Sequence, residues 1–402
     1  MSPLLPTKVL GVAFWAALAI VARAETGEPV KESRFAQLFD PDDGCFDLSK
    51  ELDHPMGFIP LVIPITEPAV GAGAAVAPIF INLPEDHKGR PDIWGVGAMY
   101  TSNGSEGILG GWSAHWLDGR LQTLVGLMDA SINLDFHGLG RDTELGGAPL
   151  QYNTEFIGGG GAVKWKLDPE RRWDVGINYR YADVTVSFPD INSRNRALAD
   201  PTGRQYGFNK GLLRTFQGFD STIGSLGFTI GYDTRDNLFT PTSGIYSELG
   251  VTFNDAAFGG SSTFQLFDWT GLWFTPVFSK DLILGLRGDF HSSAGDIPFY
   301  YRPSIDLRGT PKGRYQGEHV AYTEAELRWQ FDPRWSVLAF GGTGAAWSDG
   351  TRFAQTEVTY TGGVGVRYLL ARRYGLHMGI DVAFGEEGPA CYIQFGNAWF
   401  RP

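Results

Sequence analysis

Asp289, His291 and Ser293 stand at alternate positions, so on an extended chain an acid, a base and a hydroxyl share one face. An outer-membrane phospholipase would use such a set. Arg287 lies on the same face, whereas Leu282, Leu284, Leu286 and Phe290 occupy the other, which makes a strand with one wet and one greasy side. In a barrel bathed by lipid the wet side lines the lumen, and the three residues read as a solvated lumen patch with no catalytic role. No Gly-x-Ser-x-Gly nucleophile turn occurs. The seven histidines show no His-Glu-x-x-His or other tight ligand spacing, so neither a metal nor a cofactor is expected. The run Gly158-Gly159-Gly160-Gly161 sits inside a strand pattern with no helix behind it, and reads as close packing or curvature in preference to a phosphate cradle.

The same alternation recurs along the chain. Leu376, Met378, Ile380, Val382 and Phe384 are separated by His377, Gly379, Asp381 and Ala383; Thr323, Ala325, Leu327, Trp329 and Phe331 by Glu324, Glu326, Arg328 and Gln330. A soluble sandwich would turn the charged face to bulk water, a transmembrane barrel to its lumen. The N-terminus favours the barrel. One positive charge in Met1 to Lys8, an apolar stretch from Val9 to Val21 and the small-x-small end Ala22-Arg23-Ala24 predict a cleaved signal peptide over 1–24. No later apolar segment reaches the roughly 18 residues that a helical span needs. With 54 glycines, 14% aromatic and 19% charged residues, the composition fits a barrel, and Trp173, Phe188, Trp347 and Trp399 stand at strand ends where an interfacial girdle would lie. Loss of the signal removes Lys8 and Arg23 and no acid, taking the net charge from −12 to −14. An acidic chain excludes a nucleic-acid partner. Cys45 and Cys391 are the only cysteines, one ahead of the strands and one in the last of them, and whether they pair stays open.

Residues 25–56 are acidic and turn-rich and read as a short periplasmic leader; 57–402 read as the barrel. The pattern predicts about sixteen strands, near 57–65, 70–81, 92–102, 106–117, 120–136, 151–167, 172–188, 222–235, 244–255, 261–276, 281–293, 319–331, 334–347, 356–370, 374–385 and 390–400. An even count returns both termini to one side. The short connections at 117–120, 168–172, 278–281, 331–334 and 371–375 all fall at one end, and the long ones, 137–150, 189–221 and 294–318, at the other. This is the periplasmic-turn, extracellular-loop asymmetry of bacterial barrels. The seventh strand changes parity near Ala182-Asp183, which predicts a bulge.

Two segments carry a family resemblance. Asp233-Thr234-Arg235-Asp236-Asn237, followed by Pro241 and Gly244, resembles the periplasmic turn signature of the BamA and TamA family, also called the bacterial surface antigen family. Leu307-Arg308-Gly309-Thr310 resembles the hydrophobic-Arg-Gly-aromatic tip of that family's sixth extracellular loop, with Thr310 where the aromatic residue usually stands. The resemblance implies an all-β, sixteen-stranded transmembrane barrel whose loop tip folds inward, its arginine pairing with acids on the wall. Glu324 and Glu326 point inward by parity, and Glu326-Leu327-Arg328 is similar to the family's Glu-x-Arg on the twelfth strand. On the thirteenth, Gly342 stands where many relatives have aspartate, so one carboxylate is missing. The end, Gln394 to Phe400, resembles a barrel assembly signal.

The resemblance covers nearly all of 57–402. Relatives that assemble or secrete proteins carry POTRA domains of roughly 75 residues each before the barrel, and 25–56 is too short for one. The implied function is a non-enzymatic pore or device that inserts, assembles or translocates proteins or lipids, with outer-membrane lipid as its surroundings. The alternative is a passive solute porin or a surface-exposed binding protein.

Overall fold

The computed structural model describes residues 38–52, 58–65, 69–82, 91–136, 150–168, 170, 172–188, 218–350 and 356–401. The expected signal peptide, the start of the leader and most of connections 137–150 and 189–221 lie outside the described residues. Residues 38–46 form a turn closed by a bridge between Phe39 and Phe46. From Asp47 the chain is a second unit, beginning with one helical turn, α1 (Ser49–Leu52). Among the described residues no helix is long and apolar enough to cross a membrane.

Sixteen strands follow: β1 (Phe58–Ile65), β2 (Gly73–Asn82), β3 (Asp92–Thr101), β4 (Glu106–Trp116), β5 (Leu121–Phe136), β6 (Leu150–Lys166), β7 (Trp173–Ser187), β8 (Phe219–Asp233), β9 (Gly244–Asn254), β10 (Phe264–Val277), β11 (Ser279–Gly295), β12 (His319–Gln330), β13 (Trp335–Trp347), β14 (Glu357–Ala371), β15 (Leu376–Gly385) and β16 (Gly388–Phe395). Each pairs antiparallel with the next in one sheet. The sheet curls until β16 approaches β1, and among the described residues no ladder joins those two. The longest connections share one end, although the hairpins at 102–105 and 386–387 lie there too.

Side-chain alternation decides what each face meets. Outward positions carry Trp94, Val96, Ile108, Leu127, Ile157, Ile177, Phe228, Leu327 and Ile380, all exposed and apolar. Trp116, Trp165, Trp173, Trp329 and Trp335 ring the outside at the short-turn end, where amphipathic rings suit a membrane surface. Two expected girdle residues are elsewhere. Phe188 turns inward against Tyr152 and Phe299, and Trp399 is buried inside the barrel.

The expected bulge is absent: β7 keeps register with β6 and β8 through Ala182 and Asp183. The parity of hydrophobicity changes while the backbone does not. Ala182, Val184 and Val186 still face inward, where Tyr152, Ile223, Phe264 and Ile297 form an apolar plug. The last strand also ends early, at Phe395. Gly396 takes a positive φ of 77° and its N–H reaches His377 O, so residues 397–401 turn into the barrel mouth instead of extending the strand.

Inward-facing glycines Gly95, Gly111, Gly126 and Gly160 are direct cross-strand partners in four successive strands, β3 to β6. A Cβ added at Gly111 or Gly126 would meet no atom closer than 3.6 Å, whereas at Gly160 it would crowd Tyr179 O at 2.8 Å.

Candidate functional site

Residues 296–318 leave β11 and fold back against the inner wall. Phe299, Tyr300 and Tyr301 pack on the apolar plug, and Ser304 bridges Gln316 to narrow the loop into a finger. Ile305 and Leu307 seat the finger among Tyr315, Val320, Tyr322 and Ala346. Leu307 also occupies the space beside Gly342: a Cβ there would lie 3.0 Å from the Leu307 side chain and 2.9 Å from Thr323 O. The position where relatives place an aspartate is thus filled by the finger itself.

Arg308 is buried at the tip. Its Nε donates to Glu324 Oε1 at 2.6 Å and its Nη1 to Asp381 Oδ2 at 2.8 Å. Nη2 lies 2.6 Å from Glu324 and 2.9 Å from Glu326, at angles that make charge contacts and not directed hydrogen bonds. The guanidinium carbon sits 3.6 Å above the Phe340 ring. Gly309 follows with φ of 92°; its N–H donates to Tyr392 Oη, and an added Cβ would press on Ala383 at 3.3 Å. Only glycine lets the turn lie flush on β15. Thr310 is buried behind it, and the aromatic contact to the arginine comes from the wall instead of the tip.

Asp381 is the residue that sequence reasoning missed as a partner. It lies on the wet face of β15, a position parity had shown, and it also accepts two bonds from Arg367, at 2.5 and 2.9 Å. With Arg328, the group holds three guanidiniums and three carboxylates, a balance that keeps so many buried charges tolerable.

Arg328 faces the same interior and donates to Pro241 O at 3.0 Å, tying the twelfth strand to the turn between β8 and β9. In that turn Asp233 holds Arg235 by a forked pair, and Arg235 donates onward to Arg401 O. Asp236 caps Thr242 and Ser243, and Asn237 accepts from Phe239 and Thr240 while donating to Tyr374 O. Gly244 has φ of 108°, and a Cβ there would strike Thr234 O at 2.3 Å. The turn grips the tail: Phe239 O accepts from the Asn397 backbone, and Trp399 enters a cluster with Tyr246, Leu272 and Phe274. Its indole N–H donates to Glu324 at 3.1 Å. One carboxylate therefore joins the loop tip to the chain terminus.

The Asp289, His291 and Ser293 set does not assemble as nucleophile machinery. Asp289 is engaged by Arg287 and Thr270, His291 by Asp268 and Tyr322, and Ser293 donates to Glu318 O.

A family model, the Omp85 superfamily domain, matches residues 147–372, more than half of the chain. The chain belongs to the Omp85 superfamily. Among solved structures, this Omp85 barrel is similar to BamA from Haemophilus ducreyi lacking POTRA domains 1–3, with a TM-score of 0.54 at 11% identity, covering 83% of this chain and 68% of that one. CdiB from Acinetobacter baumannii gives 0.52 at 10% identity, over 84% and 59%. CdiB from Escherichia coli gives 0.53 at 9%, over 86% and 69%. At such identity the likeness carries the fold. No curated protein matches the sequence. An Omp85 barrel is an outer-membrane barrel, and the apolar outer face suits a lipid surround.

Proposed function

We propose that this Omp85 barrel inserts or translocates protein or lipid at the outer membrane, and that Arg308 anchors the finger that occupies its lumen. The proposal includes export by residues 1–24, a periplasmic leader over 25–56, both termini in the periplasm, the long loops outside the cell, and no enzymatic step.

The observation that carries the reading is the seating of 296–318 on inward-facing carboxylates of β12 and β15. A passive solute porin needs an open lumen, and here a buried, charge-paired finger lies inside it along the wall. The test is conductance of the purified protein in planar bilayers. Small, intermittent currents are expected; large, steady channels would return the chain to the porin reading.

A further inference from the structure

Ser292, His319 and Asp349 meet at the long-loop end of the barrel, on the outside of its wall. Ser292 is the direct partner of His319 across β11 and β12, and His319 that of Trp347 across β12 and β13. Ser292 shares the outward face of Leu284, Leu286 and Phe290, and His319 that of Leu327 and Trp329. The inward set one residue away, Asp289, His291 and Ser293, is taken up by other bonds; the outward set is bonded to itself. Ser292 Oγ lies 2.9 Å from His319 Nδ1, and His319 Nε2 lies 3.0 Å from Asp349 Oδ1. A carboxylate can only accept, so Asp349 fixes the ring proton on Nε2. Nδ1 is then a base that accepts from the Ser292 hydroxyl, the relation that turns a serine oxygen into a nucleophile. Asp349 is held in turn by Glu318, whose Oε2 accepts from the Asp349 N–H at 2.7 Å while its own N–H donates to Ser348 Oγ at 3.4 Å.

Depth and surroundings say what the set meets. Trp329 belongs to the aromatic ring at the short-turn end, and His319 stands at the opposite end of the same strand. At about 3.3 Å per residue and a tilt of about 40°, the stretch between them rises about 25 Å, the height of a barrel's apolar band. His319 is therefore level with the far membrane surface, where lipid esters lie. Phe267 faces Ser292 across β10 and β11, and Trp347 packs on both His319 and Phe290, an apolar bed beside the hydroxyl. The His319 side chain keeps 21% exposure, so the set is reachable from outside the wall.

We propose that Ser292 and His319, oriented by Asp349, hydrolyse long-chain acyl esters of membrane lipids in the leaflet at the long-loop end. Ser292 Oγ bonds to the ester carbonyl carbon while its proton passes to His319 Nδ1. The bond from that carbon to the lipid's alkoxy oxygen breaks, and the oxygen leaves with the proton from Nδ1. Water then gives a proton to Nδ1 and attacks the same carbon; Ser292 Oγ leaves with that proton, and the free fatty acid departs. The inference goes beyond the translocation reading, in which transfer of cargo makes and breaks no bond, and it concerns the outer wall, not the lumen.

The test uses the full protein in detergent micelles carrying phosphatidylethanolamine in one arm and lipopolysaccharide in the other, with released fatty acid as the readout. Wild type is expected to release fatty acid, and the arm in which it does so identifies the lipid. Ser292→Ala and His319→Ala should each lower release by about a hundredfold or more. Asp349→Asn should lower kcat and leave KM, by less than the roughly ten-thousandfold of a buried orienting carboxylate, because Asp349 is 90% exposed and water shares its task. A long-chain alkyl fluorophosphonate, which bonds to an activated serine oxygen, should label Ser292 in wild type and not in His319→Ala. All three side chains lie at the surface, so each variant should still run as a folded barrel before boiling. Absent release from both lipids by folded wild type, or release that survives Ser292→Ala, would overturn the proposal. Large, steady conductance would end the translocation reading and leave this site standing.

Discussion

A guanidinium sealed from bulk water keeps its place only while acceptors occupy its donors. For Arg308 these come from β12 and β15, strands that are not neighbours in the sheet, so the residue ties that stretch of the inner wall together. Arg308→Ala leaves three carboxylates short of a cation, at a cost of about 3–5 kcal/mol if water stays out. The expected outcome is that protease added to whole cells cuts the 296–318 loop in the variant and spares wild type, while the barrel still assembles. Equal protection would put the anchor elsewhere. Glu326→Ala should act more weakly, because Glu324 and Asp381 remain. Gly342→Asp, which restores the relatives' carboxylate, should loosen the loop as well: its Cβ collides with the Leu307 side chain and its charge is a fourth negative one in a balanced site.

Asp47 supplies a pH dependence at the same scale. Burial alone raises its carboxyl pKa, but hydrogen bonds from Ser49, Arg334 and the Arg372 N–H outweigh burial and lower it below the ordinary 3.8. A depressed folded value means that its contribution is complete above 3.8 and fades as pH falls through the folded value. Protection of the α1 amides, relative to their intrinsic exchange rate at each pH, should therefore be flat from neutral pH down to about that point and fall only in stronger acid. Release of α1 in mildly acidic buffer would show that another group holds it.

At the scale of elements, the C-terminal tail acts as a strut from the turn to the finger. Trp399→Ala removes a buried indole and its bond to Glu324, a loss of about 3–5 kcal/mol, and should lower the denaturant midpoint and expose the 296–318 loop together. A fall in midpoint with the loop still protected would separate the two. Strand number, order and most boundaries were legible because alternation is set by burial on one face, which is local. The bulge expected at Ala182 was wrong because the inward face itself becomes apolar from Ala182 to Val186, and the sequence alone shows hydrophobicity, not direction. Asp381 and Trp399 went unrecognised as partners for a related reason. Their meeting with Arg308 and Glu324 is created by closure of the sheet and by the inward turn at Gly396, neither of which leaves a spacing to read.

At the scale of the whole molecule, fifteen consecutive ladders give the barrel a stability that denaturing detergent alone should not overcome. Unboiled protein should migrate faster in gels than boiled protein, and identical mobility would contradict a folded barrel.

The row of glycines across β3 to β6 has a mechanical meaning. The wall from β11 to β15 is cross-braced by the finger and its ion pairs, whereas the glycine row has no inward side chains to interlock. The expectation is a cylinder stiffer on the braced side, with lateral pressure from the bilayer taken up as ovalisation along the glycine crease. Because Gly111 and Gly126 have room for a methyl group, Gly111→Ala/Gly126→Ala should stiffen the soft wall and add about 0.5–1 kcal/mol of stability at each position, read as a higher denaturant midpoint. An unchanged or lower midpoint would show that those glycines serve packing, and the crease would lose its basis. If the crease is where the barrel yields, it is a spring opposite a fixed brace, and its softness sets how easily the cross-section can breathe.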